Sequence, residues 1–290
     1  MFSQATLSDG RILEYADLGD PSGAPVLFFH GTPATAGQAL ISAESAQAHG
    51  VRLVAASRPG YGDSTVTPPG LASAARDAIE LTDALRLDRF ATMGLSGGGP
   101  FALATATVAP DRVSAVALLA GTAAYFEVMP PSEEDAAERR ATARYVAGER
   151  DEAISEVTRL ADADFGGLRG LSDAGFAEAM QSNRPPGETW LERHPAALEL
   201  FLADFRRAIA GSAGYVRDSL SWGDAWDIDL GGVTAPVHLV YGDADSMVPM
   251  AHAEWLRARL PAAHLRVVPG GHGDATFGAT ADTLAVLAAG

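Results

Sequence analysis

The sequence predicts an α/β protein built on a mostly parallel, doubly wound sheet. Three observations carry that prediction. Short apolar runs alternate with helix-like stretches along most of the 290 residues. The runs are apolar on both faces, as strands covered by helices must be. One long stretch without strand pattern interrupts the alternation, which then resumes.

Taken in order, residues 11–18 alternate polar and apolar, the pattern of a half-buried strand near a sheet edge. Apolar runs follow at 25–29, 51–56, 90–93, 113–119, 237–241 and 265–268. Helices are expected near 36–49, 71–86, 98–109, 248–260 and 274–289. From Thr122 to Asp218 no strand pattern occurs, but two stretches are amphipathic. Ile154, Val157, Leu160 and Ala161 share one helix face; Leu198, Phe201, Leu202, Phe205 and Ile209 share another. Pro130-Pro131 and Arg184-Pro185-Pro186-Gly187 punctuate this insert. A helical insert that leaves and rejoins one sheet is most economically a lid over it. The expected division is a core of residues 1–121 and 219–290 with a lid of residues 122–218. The clusters Glu133-Glu134-Asp135 and Glu138-Arg139-Arg140 are expected to be solvated lid faces.

Composition narrows the chemistry. Cysteine is absent, and all 21 basic residues are arginine against 37 acidic ones, a net charge of −16. Without cysteine there is no thiol nucleophile, disulfide or thiolate-bound metal. Without lysine there is no Schiff base, Ser–Lys dyad or P-loop lysine. Covalent catalysis would fall to a hydroxyl or a carboxylate. The negative charge argues against nucleic acid and against an anionic membrane surface. A small-molecule substrate is the expected partner. The N-terminal stretch shows no basic region followed by an apolar one, and the longest apolar run, near Ala115 to Ala120, is too short to span a bilayer. The expected location is cytoplasmic.

Four strand-end motifs carry chemistry. Gly94-Leu95-Ser96-Gly97-Gly98 is a G-x-S-x-G between a short strand and a helix. Such a turn projects the Ser96 hydroxyl above the sheet edge and crowds positions 94 and 98 until side chains there would clash. His30-Gly31-Thr32-Pro33 follows an early strand, so the backbone N–H groups of Thr32 and Gly97 are the expected oxyanion donors. Pro269-Gly270-Gly271-His272-Gly273 offers His272 as base on a pliable loop. Tyr241-Gly242-Asp243-Ala244-Asp245 offers two carboxylates, Asp243 and Asp245, to orient it. Asp274 is expected to cap the last helix. His30 is a weaker base candidate, because a histidine there more often holds loop backbone. His30, Leu95, Tyr125 and Phe126 are the candidate substrate-binding residues. The aromatic content of the insert, Phe165, Trp190 and Phe201 included, suggests an apolar cavity.

The order Ser96, Asp245, His272, with His30-Gly31 upstream, resembles the α/β-hydrolase superfamily over nearly the whole chain. The resemblance implies the α/β-hydrolase fold, with the lid inserted after the sixth strand. It also selects Asp245 as the acid, since the family's acid often stands three residues after a strand-end glycine and four before a proline, as Asp245 stands to Gly242 and Pro249. Ser57-Arg58-Pro59-Gly60-Tyr61-Gly62-Asp63-Ser64 is similar to a family loop that begins with aspartate; Ser57 in its place is expected to affect loop bracing. The lidded branch includes esterases, proline iminopeptidases, epoxide hydrolases and haloalkane dehalogenases. The last two use an aspartate where Ser96 stands, and His-Gly-Thr-Pro departs from the His-Gly-Gly-Pro of the iminopeptidases. The implied activity is a serine hydrolase of a carboxylic ester or related acyl bond in a small, apolar molecule, without metal or organic cofactor. C–C bond, lactone or peptide hydrolysis on the same residues is the alternative. A small-molecule receptor without turnover is a further one.

Overall fold

The computed structural model describes residues 2–185, 187–260 and 262–290; what the sequence suggests for Met1, Pro186 and Pro261 lies outside the described residues. Eight strands join in one sheet: β1 (Ser3–Thr6), β2 (Ile12–Gly19), β3 (Ala24–Phe29), β4 (Val51–Ala56), β5 (Phe90–Leu95), β6 (Val113–Leu119), β7 (Val237–Gly242) and β8 (Ala263–Val268). Their order is β1-β2-β4-β3-β5-β6-β7-β8. β1 pairs antiparallel with β2, and β2 antiparallel with β4; every pairing from β4 to β8 is parallel. The order reverses between β3 and β5, so a crevice opens where their carboxyl ends diverge.

Helices cover both faces. α1 (Ala43–Ala48) and the later α12 (Thr280–Ala288) lie on one side; α2 (Leu71–Ala84) and α3 (Gly99–Val108) lie on the other. α2 buries Leu71, Ala74, Ala75, Ala78 and Leu81, a stripe at three- and four-residue spacing. Its first amides, on Leu71 and Ala72, donate to Asp227 Oδ1 from across the chain at 3.0 and 3.2 Å. Central strands are dry on both sides: every residue of β5 is buried, matching its position between two parallel neighbours. Each fully buried Leu or Phe in these layers contributes about 1.5–3 kcal/mol.

Between β6 and β7 the described residues form seven α-helices: α4 (Tyr125–Val128), α5 (Ala136–Val146), α6 (Arg150–Arg169), α7 (Asp173–Ser182), α8 (Trp190–Arg193), α9 (Pro195–Ala208) and α10 (Ala213–Trp222). The two amphipathic stretches correspond to α6 and α9. α4, α5, α7 and α8 are short or exposed on most sides, so they carry no readable stripe. Residues 218 and 219, between which the sequence divides insert from core, both lie within α10. Ala141, Val157, Ala161, Val216 and Leu220 from α5, α6 and α10 make a small core of their own. α11 (Met250–Arg259) completes the set, and among the described residues no helix is long and apolar enough to cross a membrane. β1 is the one strand the sequence reading lacks. It is polar, mostly exposed and paired on one side only, so no alternation marks it.

Two buried groups oppose each other in pH. Burial raises the Asp204 carboxyl on α9 from 3.8 to about 6, against its bonds from Thr35. Burial lowers His252 on α11 from 6.5 to about 4, with Asp245 pulling the other way. The raised acid holds its proton more tightly when folded, so its share of stability falls as pH rises from about 4 to about 6. The depressed base holds its proton more tightly when unfolded, so its share rises between about 4 and 6.5. We expect urea midpoints of Asp204→Asn to climb more steeply with pH over that interval than wild type, and those of His252→Asn less steeply. Parallel curves for all three proteins would refute this assignment.

Candidate active site

Ser96 directly follows β5 with φ of +52°, a left-handed conformation that a non-glycine residue holds only when its surroundings enforce it. The enforcement is visible. A Cβ on Gly94 would sit 2.6 Å from Gly98 O, and one on Gly98 would strike the carbonyls of Phe29 and His30 at the end of β3. Only glycines let β3, β5 and the turn close this tightly. A single 3₁₀ turn, Ser96–Gly98, leads into α3, whose N-terminal amides point back toward the serine.

The strap after β3 lies against that turn. A Cβ on Gly97 would meet Thr32 Oγ1 at 2.5 Å and stand 3.4 Å from Thr32 N, so the two expected oxyanion donors are neighbours. Gly31 N is already spent, donating to Gln38 Oε1 at 2.7 Å. His30 is fully buried and does not reach the cavity. Its Nε2 accepts from Arg58 N at 3.0 Å and its Nδ1 bonds Gly31 O at 2.8 Å. Burial, reinforced by the Arg58 charge, holds its pKa well below the ordinary value, so the ring is neutral. Both nitrogens are occupied in bracing backbone, away from the cavity that Ser96 lines.

His272 stands in the loop after β8, and its Nδ1 lies 2.8 Å from Asp245 Oδ2. Asp245, in the loop after β7, is held by Met247 N and Val248 N, each donating to Oδ1 at 2.9 Å. Asp243 accepts Gly270 N at 2.9 Å and braces the same loop from outside. Asp274 does not cap α12. It opens a π-helical turn, Asp274–Gly278, and bonds Gly271 N and Arg193. Ser57 bridges Ala36 N and the Glu14 carboxylate, tying the strap to β2.

Ser96 and His272 line one cavity of about 370 Å³, with Thr32 and Gln38 beside them. Among the described residues the Ser96 hydroxyl and the imidazole share this space without a hydrogen bond. The far wall comes from the insert: Met180 of α7, Trp190 and Leu191 of α8, and Leu198, Phe201, Leu202 and Phe205 of α9. Leu95 lines the cavity. Tyr125 and Phe126 do not. α4 packs on α11, so Tyr125 meets Trp222 and His252, and Phe126 lies under the Arg139 guanidinium. Phe165 packs on Tyr215 within the helical layer.

Two contacts were not anticipated. Glu188 accepts His272 N at 2.5 Å and Gly273 N at 2.9 Å, clamping the insert onto the histidine loop. Asp218 of α10 reaches Thr32 and Arg58. Neither carries a local sequence signal, since each partner lies far along the chain.

The sheet order, the strained serine after β5 and the helical layer over it define a class of doubly wound α/β folds with a strand-end crevice. The chain belongs to the alpha/beta hydrolase fold family, whose sequence model matches residues 24–278. It is 30% identical over 218 residues to the pimeloyl-[acyl-carrier protein] methyl ester esterase of Aromatoleum aromaticum, covering 74% of this chain and 78% of that one. It is 36% identical over 117 residues, 39% of this chain, to a non-heme chloroperoxidase of Streptomyces lividans, and that match spans 42% of the peroxidase. Among solved structures, the enol-lactonase of Burkholderia xenovorans LB400 superposes with a TM-score of 0.69 over 98% of each chain at 18% identity, a likeness of fold.

Proposed function

We propose that the protein is a serine hydrolase that cleaves a carboxylic ester of a small, largely apolar molecule, with α4–α10 as its lid. The observation that carries this reading is the strained Ser96 facing one cavity with a histidine whose Nδ1 is bound to a carboxylate at 2.8 Å. Ser96 Oγ attacks the ester carbonyl while His272 Nε2 takes its proton. The carbonyl oxygen becomes an oxyanion held by the N–H groups of Thr32 and Gly97. The tetrahedral intermediate collapses, and His272 returns the proton to the departing alkoxide. Water, deprotonated by the same nitrogen, then attacks the acyl-enzyme, releasing the carboxylic acid and restoring Ser96.

The largely apolar wall of α7, α8 and α9 supports an apolar acyl or alcohol group. The esterase relative supports an ester as the scissile bond. A panel of p-nitrophenyl esters tests the reading. We expect kcat/KM to rise about fourfold per added methylene until the cavity is full, at about 0.8 kcal/mol per buried CH₂. A fluorophosphonate probe should add its mass to the peptide containing Ser96. No hydrolysis of any ester, lactone or anilide and no labelled peptide would end the proposal.

A further inference from the structure

The oxyanion strap is held by a buried charge pair that no step of the hydrolysis uses. Arg58 Nη2 donates to Gly31 O and to Thr32 Oγ1, both at 3.0 Å, while Nη1 donates to His30 O. The same guanidinium meets Asp218 through Nε at 3.1 Å and Nη2 at 2.5 Å. Thr32 Oγ1 gives its own hydrogen to Asp218 Oδ2 at 2.7 Å. Arg58 is 2% exposed and Asp218 not at all. Burying such a pair is costly, and an apolar pair of similar volume commonly stabilises a fold as well or better. What an apolar pair cannot do is fix the Thr32 hydroxyl from both sides, as donor to one group and acceptor from the other. Thr32 in turn lies against Gly97, where no Cβ would fit.

Resting on the serine-hydrolase reading, we propose that Asp218 is a positioning residue: through the Thr32 hydroxyl it sets where the Thr32 amide stands, so the last lid helix holds half of the oxyanion site. Asp218 touches no reacting atom. It acts through Thr32 directly and through Arg58, which ties the carbonyls of residues 30 and 31 to the same anchor. Substrate can then sense the lid electrostatically as well as through cavity shape.

The decisive variant is Thr32→Val, which keeps the amide, the shape and the Arg58–Asp218 pair and removes only the hydroxyl. Three measurements are compared: ester turnover, affinity for an aryl trifluoromethyl ketone that adds to Ser96 and forms an oxyanion, and affinity for the alcohol product, which forms none. We expect kcat to fall about ten- to a hundredfold, the size of a small misplacement of a catalytic group. Ketone affinity should fall by a similar factor, while KM and alcohol affinity stay within about threefold. Thr32→Ser, which restores the hydroxyl, should recover most of the loss. Asp218→Asn should behave like Thr32→Val, and the double variant should be no slower than the worse single one. If Asp218→Asn fails to fold with Arg58 left unpaired, Thr32→Val and Thr32→Ser still decide. Wild-type kcat in Thr32→Val, or equal losses for ketone and alcohol, overturns the positioning role alone. An active Ser96→Ala overturns the hydrolase reading and this inference with it.

Discussion

Replacing Ser96 with alanine will lower ester turnover by about 10⁴- to 10⁶-fold while leaving the fold intact. Alanine carries the same Cβ into the same left-handed backbone, so the strain at φ +52° and the packing of Gly94 against Gly98 are unchanged. What disappears is the only hydroxyl at the elbow. The amides of Thr32 and Gly97 and the cavity wall remain, so substrate still binds and KM moves little. The rate that survives measures how much binding and oxyanion stabilisation achieve without a nucleophile. Matched thermal unfolding curves with a collapsed kcat are the expected pair of results. Undiminished kcat would place the chemistry elsewhere.

Asp245→Asn should cost about 10⁴-fold in kcat, more than loss of charge alone would suggest. The reason lies in which oxygen does what. Oδ1 accepts two loop amides, from Met247 and Val248, and Oδ2 faces His272 Nδ1. An asparagine keeps its oxygen on the two amides and turns its NH₂ toward the imidazole. Nδ1 must then accept, which puts the ring hydrogen on Nε2, the atom meant to receive the Ser96 proton. Nitrogen NMR of His272 should report the exchanged tautomer. A variant within tenfold of wild type would exclude Asp245 as the orienting acid.

The strand-end placement of three candidate residues was legible because their signals are local. Ser96, Asp245 and His272 each sit in a glycine-bearing loop at the end of an apolar run, and a parallel sheet sends all such ends to one edge. The strands themselves read clearly wherever both faces are buried, as in β5; the edge strand β8 read from its apolar run, and only the four-residue, largely polar β1 was missed. The insert was harder. Aromatic residues there announce apolar surface without saying which side they face, so Trp190 and Phe201 reach the cavity while Tyr125, Phe126 and Phe165 pack away from it. Contacts between segments left no trace at all. Glu188 meets His272 across 84 positions, Asp204 meets Thr35 across 169, and Asp218 meets Thr32 across 186. No periodicity or motif spans such distances.

β6 and β7 are parallel neighbours, so the whole helical excursion departs at the carboxyl end of β6, Leu119, and returns at the amino end of β7, Val237, on strands about 4.8 Å apart. A different excursion that met the same two strand ends would leave the sheet register undisturbed, so on the proposed reading the helices can be exchanged as a cassette. The exchange is not free of consequence here. A cassette lacking a carboxylate where α10 carries Asp218 would strand Arg58 without its partner, so successful grafts into this scaffold should be those that inherit that single acid along with the new pocket.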